Sequence, residues 1–215
     1  MQSYQLELKG DQDTQTGARS LCYSLLSGAF RFPEPKFFES VKAGRFSDEV
    51  EAAVARLPYD GLKGGDLGKA TKLSYEEFQS NYIKLFEVGG IDGAPCSLYE
   101  GEYGGGRMKV MEEILRFYHH FGLQLSTAKR DRPDHLATEL EFMHLLTFKE
   151  TEALLQGKEK SSYVRAQSDF LRYHVGDLLA TVAKRVEKKT VPFYRDLVTL
   201  ADGFSRKELA HLQTV

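Results

Sequence analysis

Apolar positions recur at helical spacing along almost the whole chain. Leu21, Leu25, Leu26, Ala29 and Phe30 make a stripe across residues 16–31, closed by Pro33 and Pro35, which remove amide donors and crowd the preceding turn. Phe37, Phe38 and Val41 predict a short helix. Val50, Ala53, Val54 and Leu57 predict another, stopped at Pro58. Residues 59–71 contain four glycines and read as a loop. Ser74 with Glu77 three residues on has the signature of a capping box, and Phe78, Tyr82, Leu85 and Phe86 carry that helix to Gly89 and Gly90.

The second half continues in the same period. Met111, Ile114, Leu115, Tyr118 and Phe121 form the next stripe, ended by Gly122. Pro133 fits the first turn of its successor, where a missing N–H costs nothing, and Leu136, Leu140, Met143 and Leu146 follow. Val164, Leu171, Val175, Leu178, Val182 and Val186 predict one helix over 160–188. Two short helices are expected after it, over Phe193–Ala201 and from Ser205, with Glu208 in capping register. The β-branched residues never alternate over four positions, so no strand is expected. The pattern implies an all-α fold of eight to nine helices in a single domain, 1–215, with an N-terminal helical portion over 1–75 and a long internal loop near 87–106. No repeat of fixed period is present.

Composition narrows the function classes. With 215 residues, 41% hydrophobic and 28% charged, the chain can bury a core. A net charge of -2 argues against a sequence-blind nucleic-acid binder. The basic run Lys184, Arg185, Lys188 and Lys189 alternates with apolar residues and reads as a solvated helix face. No secretory signal is visible at the N-terminus, and no apolar run has the length of a membrane span. Cys22 falls in a helical apolar pattern and reads as a buried thiol; Cys96 follows a proline in a loop and reads as a surface thiol. Both are expected to be reduced and the protein cytoplasmic.

Several constellations invite chemistry. Gly101 and the glycines at 104–106 precede a helix opened by Arg107, and their amides could hold an anion. They lack the Walker spacing and a preceding strand, so a permissive loop is the default. Glu141 and His144, and Glu208 and His211, share the i, i+3 spacing used in di-iron bundles, which leaves a carboxylate-bridged di-metal oxidase as the rival reading. His119 and His120 are adjacent and point in different directions. Nothing in the residues favours a Cys96–His135 dyad. Asp134 at a helix start would satisfy free amides. In the functional reading, Asp134 and His135 line a groove fed by residues 86–103. Glu100, Glu102, Glu139 and Glu141 make that groove acidic at one end, and Phe86, Leu98, Tyr99, Tyr103 and Phe142 make it apolar along its length. Such a groove suits a peptide with an apolar stretch beside arginines.

Four segments in order resemble the TorD/DmsD/NarJ family of helical redox-enzyme maturation chaperones. They are Tyr82–Phe86 leading to Ala94-Pro95-Cys96-Ser97-Leu98-Tyr99-Glu100; Met111 through Tyr118 with Gly122-Leu123; Arg132-Pro133-Asp134-His135-Leu136 with Glu139–Met143; and Gln167–Leu171 with His174, Phe193, Tyr194 and Leu197. Together they span about 82–200, the family-like core being 76–215. The Pro95–Tyr99 wording is similar to the branch serving ethylbenzene and dimethyl sulfide dehydrogenases and selenate or chlorate reductases. The resemblance implies a non-catalytic cytoplasmic chaperone, monomeric or homodimeric, with no metal or cofactor of its own. It would bind the twin-arginine leader and the apo form of a molybdopterin-containing catalytic subunit of the DMSO-reductase type until the cofactor is inserted. The family's leader pocket maps to Tyr82, Phe86, Pro95, Ser97, Leu98, Tyr99, Glu100, Asp134, His135, Glu139 and Phe142. Relatives often place a tryptophan there; this chain has none.

Overall fold

A computed structural model of the chain describes residues 7–8, 10–64, 67, 72–89, 93–104, 106–123 and 132–215. Gly90, Gly105, most of the N-terminal segment and part of the 59–71 loop lie outside the described residues. Nine α-helices form among the described residues: α1 (Asp11–Ala29), α2 (Pro35–Lys42), α3 (Arg45–Val54), α4 (Tyr75–Tyr82), α5 (Arg107–His120), α6 (Leu136–Leu155), α7 (Ser161–Phe170), α8 (Gly176–Val186) and α9 (Pro192–Leu212). The all-α expectation holds. No strand forms among the described residues, and an isolated antiparallel bridge pairs Tyr99 with His135. No helix among them is long and apolar enough to cross a membrane.

Local signals explain most boundaries. The Ser74 Oγ accepts from the Glu77 amide at 3.2 Å while the Glu77 carboxylate accepts from the Ser74 amide at 2.8 Å, closing the capping box that opens α4. Pro35 and Pro192 occupy first-turn positions of α2 and α9. Pro133 does not: α6 is capped by His135, whose Nδ1 accepts from the Ala137 amide at 3.1 Å, and Pro133 lies in the turn before it. The expected helix over 160–188 is interrupted by a wide π turn, Leu171–Val175. Gly176 makes that turn possible, because a Cβ there would sit 2.6 Å from the Leu171 carbonyl oxygen. A second π turn, Ile83–Glu87, extends α4 and closes with the Val88 amide donating to the Ile83 carbonyl at 2.9 Å. The two short helices expected at the C-terminus are instead one, α9. Ser205 and Glu208 are buried within it, so neither is free to cap.

Helix α1 packs most extensively against α6, with α8 on α9 and α7 on α6 around it. The core is rich in aromatic edges. Phe78 meets Phe193 at 5.0 Å on one side, and Phe142 meets Phe170 at 4.8 Å on the other. Through this core runs a buried polar network. The Arg19 guanidinium donates from Nε to both Glu208 oxygens at 2.8 and 3.0 Å, from Nη1 to Glu150 at 3.0 Å, and from Nη2 to Gln167 at 2.5 Å. Gln167 also donates to Glu150, and the Tyr59 hydroxyl donates to Glu208 at 2.9 Å. Burial works against the Arg19 charge, but Glu208 and Glu150 hold it protonated. One guanidinium thus ties α1, α6, α7 and α9 together.

This network also corrects the di-metal reading. Glu208 is fully engaged with Arg19 and Tyr59, Glu141 reaches outward to Arg31 at 2.5 Å, and the His144 Nδ1 pairs with the Ser20 hydroxyl at 2.9 Å. No group of three metal-ligating side chains exists among the described residues.

Candidate functional site

The turn before α6 and the loop after α4 are zipped together. The Glu100 amide donates to the Asp134 carbonyl at 2.9 Å and the Leu136 amide donates to the Leu98 carbonyl at 2.8 Å. Arg132 grips the Asp134 carboxylate with Nε at 2.9 Å and Nη2 at 2.6 Å, and reaches Glu102 with Nη1 at 3.4 Å. The same carboxylate accepts from the Gly101 amide at 3.1 Å. Asp134 is therefore not the helix cap expected from its position. It is a buried brace, and the anion held by the Gly101 amide is the protein's own. A methyl at position 101 would stand 2.9 Å from the Asp134 oxygen and 3.1 Å from the Arg107 Cα. Gly101→Ala is accordingly expected to lower stability by about 1–3 kcal/mol, measured by thermal denaturation.

Above this brace three flat groups stack. The Arg132 guanidinium lies 4.0 Å from the Tyr99 ring centre, and the His135 ring meets Tyr99 edge-on at 4.8 Å. Because the His135 Nδ1 accepts from the Ala137 amide, the proton of the neutral imidazole sits on Nε2. Together they form one wall of a half-open hollow of about 310 Å³, lined also by Arg31, Phe32, Glu34, Tyr82, Glu87 and Thr138. Its arginines are already held by acids, Arg31 by Glu141 and Arg132 by Asp134 and Glu102. Partial desolvation, then the charge of Glu102, pushes the Glu87 carboxyl above its ordinary value although its side chain still reaches solvent. Burial and the nearby Glu87 also raise the Tyr99 hydroxyl.

Of the eleven side chains expected at a binding pocket, Tyr82, Tyr99 and His135 line this hollow. Phe86, Ser97, Leu98, Asp134, Glu139 and Phe142 are buried beneath it or in the core, and Pro95 and Glu100 are half-buried. Their burial has local causes. The π turn at Ile83–Glu87 turns Leu85 and Phe86 inward, and Ser97 is tied by its carbonyl to the Tyr103 hydroxyl at 2.6 Å. Phe142 is locked against Tyr118, Phe121 and Phe170. Glu139 sits with both oxygens unpartnered, and burial followed by the charges of Glu100 and Asp134 raises its carboxyl well above the ordinary range. Glu100 in turn meets the His174 Nδ1, on the Leu171–Val175 π turn, at 3.0 Å. Five lining residues went unread in the sequence: Arg31, Phe32 and Glu34, which follow the end of α1, Glu87 at the end of the π turn after α4, and Thr138 in the first turn of α6. Cys96, expected as a surface thiol, is buried, and burial raises its pKa. The basic run on α8 is exposed at Lys184, Arg185 and Lys188, as a solvated face should be.

Residues 45–182 match the sequence model of the family described as nitrate reductase delta subunit. The chain belongs to that family. The match takes in the Tyr99–Arg132–His135 wall and both π turns, while Arg31, Phe32 and Glu34 precede it. Among curated relatives, the selenate reductase assembly chaperone protein of Thauera selenatis is 40% identical over 54% of this chain and 60% of its own length. The chlorate reductase assembly chaperone protein of Ideonella dechloratans is 37% identical over 67% of this chain and 72% of its own. A crystal structure from Archaeoglobus fulgidus described as a redox enzyme maturation protein superposes with a TM-score of 0.51, covering 98% of this chain and 99% of that one at 20% identity, a likeness of fold. The relatives are assembly chaperones rather than enzymes. They support the chaperone reading of the sequence and not the oxidase one.

Proposed function

We propose that this protein is an assembly chaperone for the molybdopterin-containing catalytic subunit of a DMSO-reductase-type enzyme. It acts in the cytoplasm, binding that subunit's twin-arginine leader and holding the apo form until the cofactor is in place. The observation that carries the reading is the Tyr99–His135–Arg132 wall around an open hollow whose two guanidiniums are outnumbered by acids: Glu34 and Glu87 on the lining, Glu102, Asp134 and Glu141 behind the arginines. A concave, anionic, aromatic-walled surface suits a peptide bearing guanidiniums beside apolar side chains. Family membership and the named chaperone relatives point the same way. Tyr99 and His135 are the contact residues of this proposal, and Tyr82, buried with its hydroxyl donating to the Phe30 carbonyl at 2.9 Å, backs the hollow. Phe86, Leu98, Ser97, Glu139 and Phe142 support the floor, and Asp134 acts by fixing Arg132. The mechanism is occlusion: a leader held in the hollow is withheld from the export machinery.

Calorimetric titration with a synthetic twin-arginine leader tests the assignment. His135→Ala is expected to weaken binding about tenfold, the loss of one ring contact and one hydrogen-bonding group. Asp134→Ala should weaken it as well by releasing Arg132, with helical content by circular dichroism unchanged in both. Unaltered affinity in the two variants removes this site.

A further inference from the structure

The hollow does not end at Phe32. Arg31, Phe32 and Glu34 also border a second hollow of about 400 Å³ on the outer face of α1, α2 and α3. The apolar side chains on its wall are Leu25, Phe32, Phe37 and Phe46. The two hollows thus form one track with a shared threshold, and their chemistry differs. The first is polar and acid-rich; the second shows more apolar surface, although Ser24, Lys36, Ser40 and Glu49 also line it. Phe32 stands on the threshold with 49% of its surface exposed, its ring edge-on to Tyr82 at 5.6 Å.

Three carboxylates on this track make no hydrogen bond or ion pair among the described residues: Glu34, Glu87 and, on the second hollow, Glu49. Glu34 occupies the N-cap position of α2 yet makes no side-chain capping bond there. Neither it nor Glu87 forms an ion pair among the described residues, although Arg31 and Arg132 stand on the same wall. Those arginines are satisfied by Glu141, Asp134 and Glu102, so positive charge entering the first hollow is left Glu34 and Glu87 as its partners.

Resting on the leader-binding reading, we propose a polarity for the bound peptide: its guanidinium pair sits at Glu34 and Glu87, and its apolar run continues over Phe32 onto the Leu25–Phe37–Phe46 face. The partner is therefore a peptide in which arginines directly adjoin an apolar segment, the two recognised by separate subsites. Carboxylate–guanidinium pairs fix register, and the apolar face contributes burial without register.

Three synthetic peptides titrated against the full chain by fluorescence anisotropy separate the subsites. The first has two adjacent arginines followed by a leucine- and alanine-rich run. In the second the arginines are glutamines, and in the third the run is serine and glycine. The double variant Glu34→Gln, Glu87→Gln is expected to weaken the first and third peptides about tenfold and leave the second unchanged. Phe32→Ser is expected to weaken the first and second peptides severalfold and leave the third unchanged. Added salt should erode the carboxylate effect and spare the Phe32 effect. All three side chains are exposed, so the variants retain the fold, verified by circular dichroism. If the native chain binds the first peptide but both substitutions change all peptides alike, or none, the polarity is wrong and leader binding stands. If the native chain binds none of the peptides, leader binding falls and this inference falls with it.

Discussion

Replacing Arg19 by alanine is expected to cost the fold about 3–5 kcal/mol, the typical loss when one partner of a buried ion pair is removed. The guanidinium is buried and engages Glu208, Glu150 and Gln167 at 3.0 Å or less. Without it two carboxylates remain in the interior, Glu208 with only the Tyr59 hydroxyl and Glu150 with Gln167 and the half-exposed Lys160. At this chain length such a loss corresponds to a fall in Tm of roughly 6–20 °C. Urea denaturation followed by circular dichroism measures it. The variant Arg19→Met combined with Glu208→Leu and Glu150→Leu should recover most of the loss, because well-packed apolar groups remove the desolvation cost along with the attraction. A loss below about 1 kcal/mol for Arg19→Ala would show that the network is no keystone of the bundle.

Glu139→Gln carries the second large effect and has the opposite sign. Glu139 is fully buried with no hydrogen-bond partner for either oxygen, and burial plus the charges of Glu100 and Asp134 raises its pKa well above the ordinary value. In the folded protein the group keeps its proton to a higher pH than in the unfolded chain. Its contribution to stability is therefore whole below the unfolded pKa of about 4.3 and is lost progressively as pH rises toward the folded value. A neutral amide of the same shape avoids that loss. Glu139→Gln should stabilise the protein by roughly 1–3 kcal/mol at pH 7–8, with no gain near pH 4. Thermal unfolding across that pH range measures it, and a pH-independent difference between the two proteins would contradict the assignment.

Some of this architecture could be read from residue order. The Ser74–Glu77 box announced α4, and the apolar stripes located α1, α5 and α6, because each signal is local and its physics is complete within two turns. Ser205 misled in the other direction. With Glu208 three residues on it imitates a capping box, yet buried contacts on either side, from Leu197 to Leu212, carry α9 straight through. Arg19 could have been noticed. It falls at i−3, i−4 and i−7 from Cys22, Tyr23 and Leu26, squarely on the buried stripe, where a charge needs interior partners. Those partners are 131 and 189 residues away, so the sequence could flag the need and not the answer. The hollow is similar. Tyr82, Tyr99 and His135 were legible through the family-like segments, whereas Arg31, Phe32 and Glu34 precede those segments and come to the site only by the packing of α1 on α6. Glu139 was read as part of an acidic rim. Its spacing with Leu136, Leu140 and Met143 placed it on the inward stripe all along.

The wide turn at Leu171–Val175 acts as a phase shifter. One surplus residue in a helical turn rotates everything after it by about 100° around the axis. Leu178, Leu179, Val182 and Val186 meet the interior in that rotated setting, and in consequence Lys184 and Lys188 look out to water while the Arg185 guanidinium lies over the Tyr103 ring at 4.5 Å. Excising one residue from the stretch would scarcely shorten the rod. It would turn the lysines toward α9, strand the leucines outside and lift His174 from Glu100, so in this part of the molecule the number of residues sets orientation before it sets length.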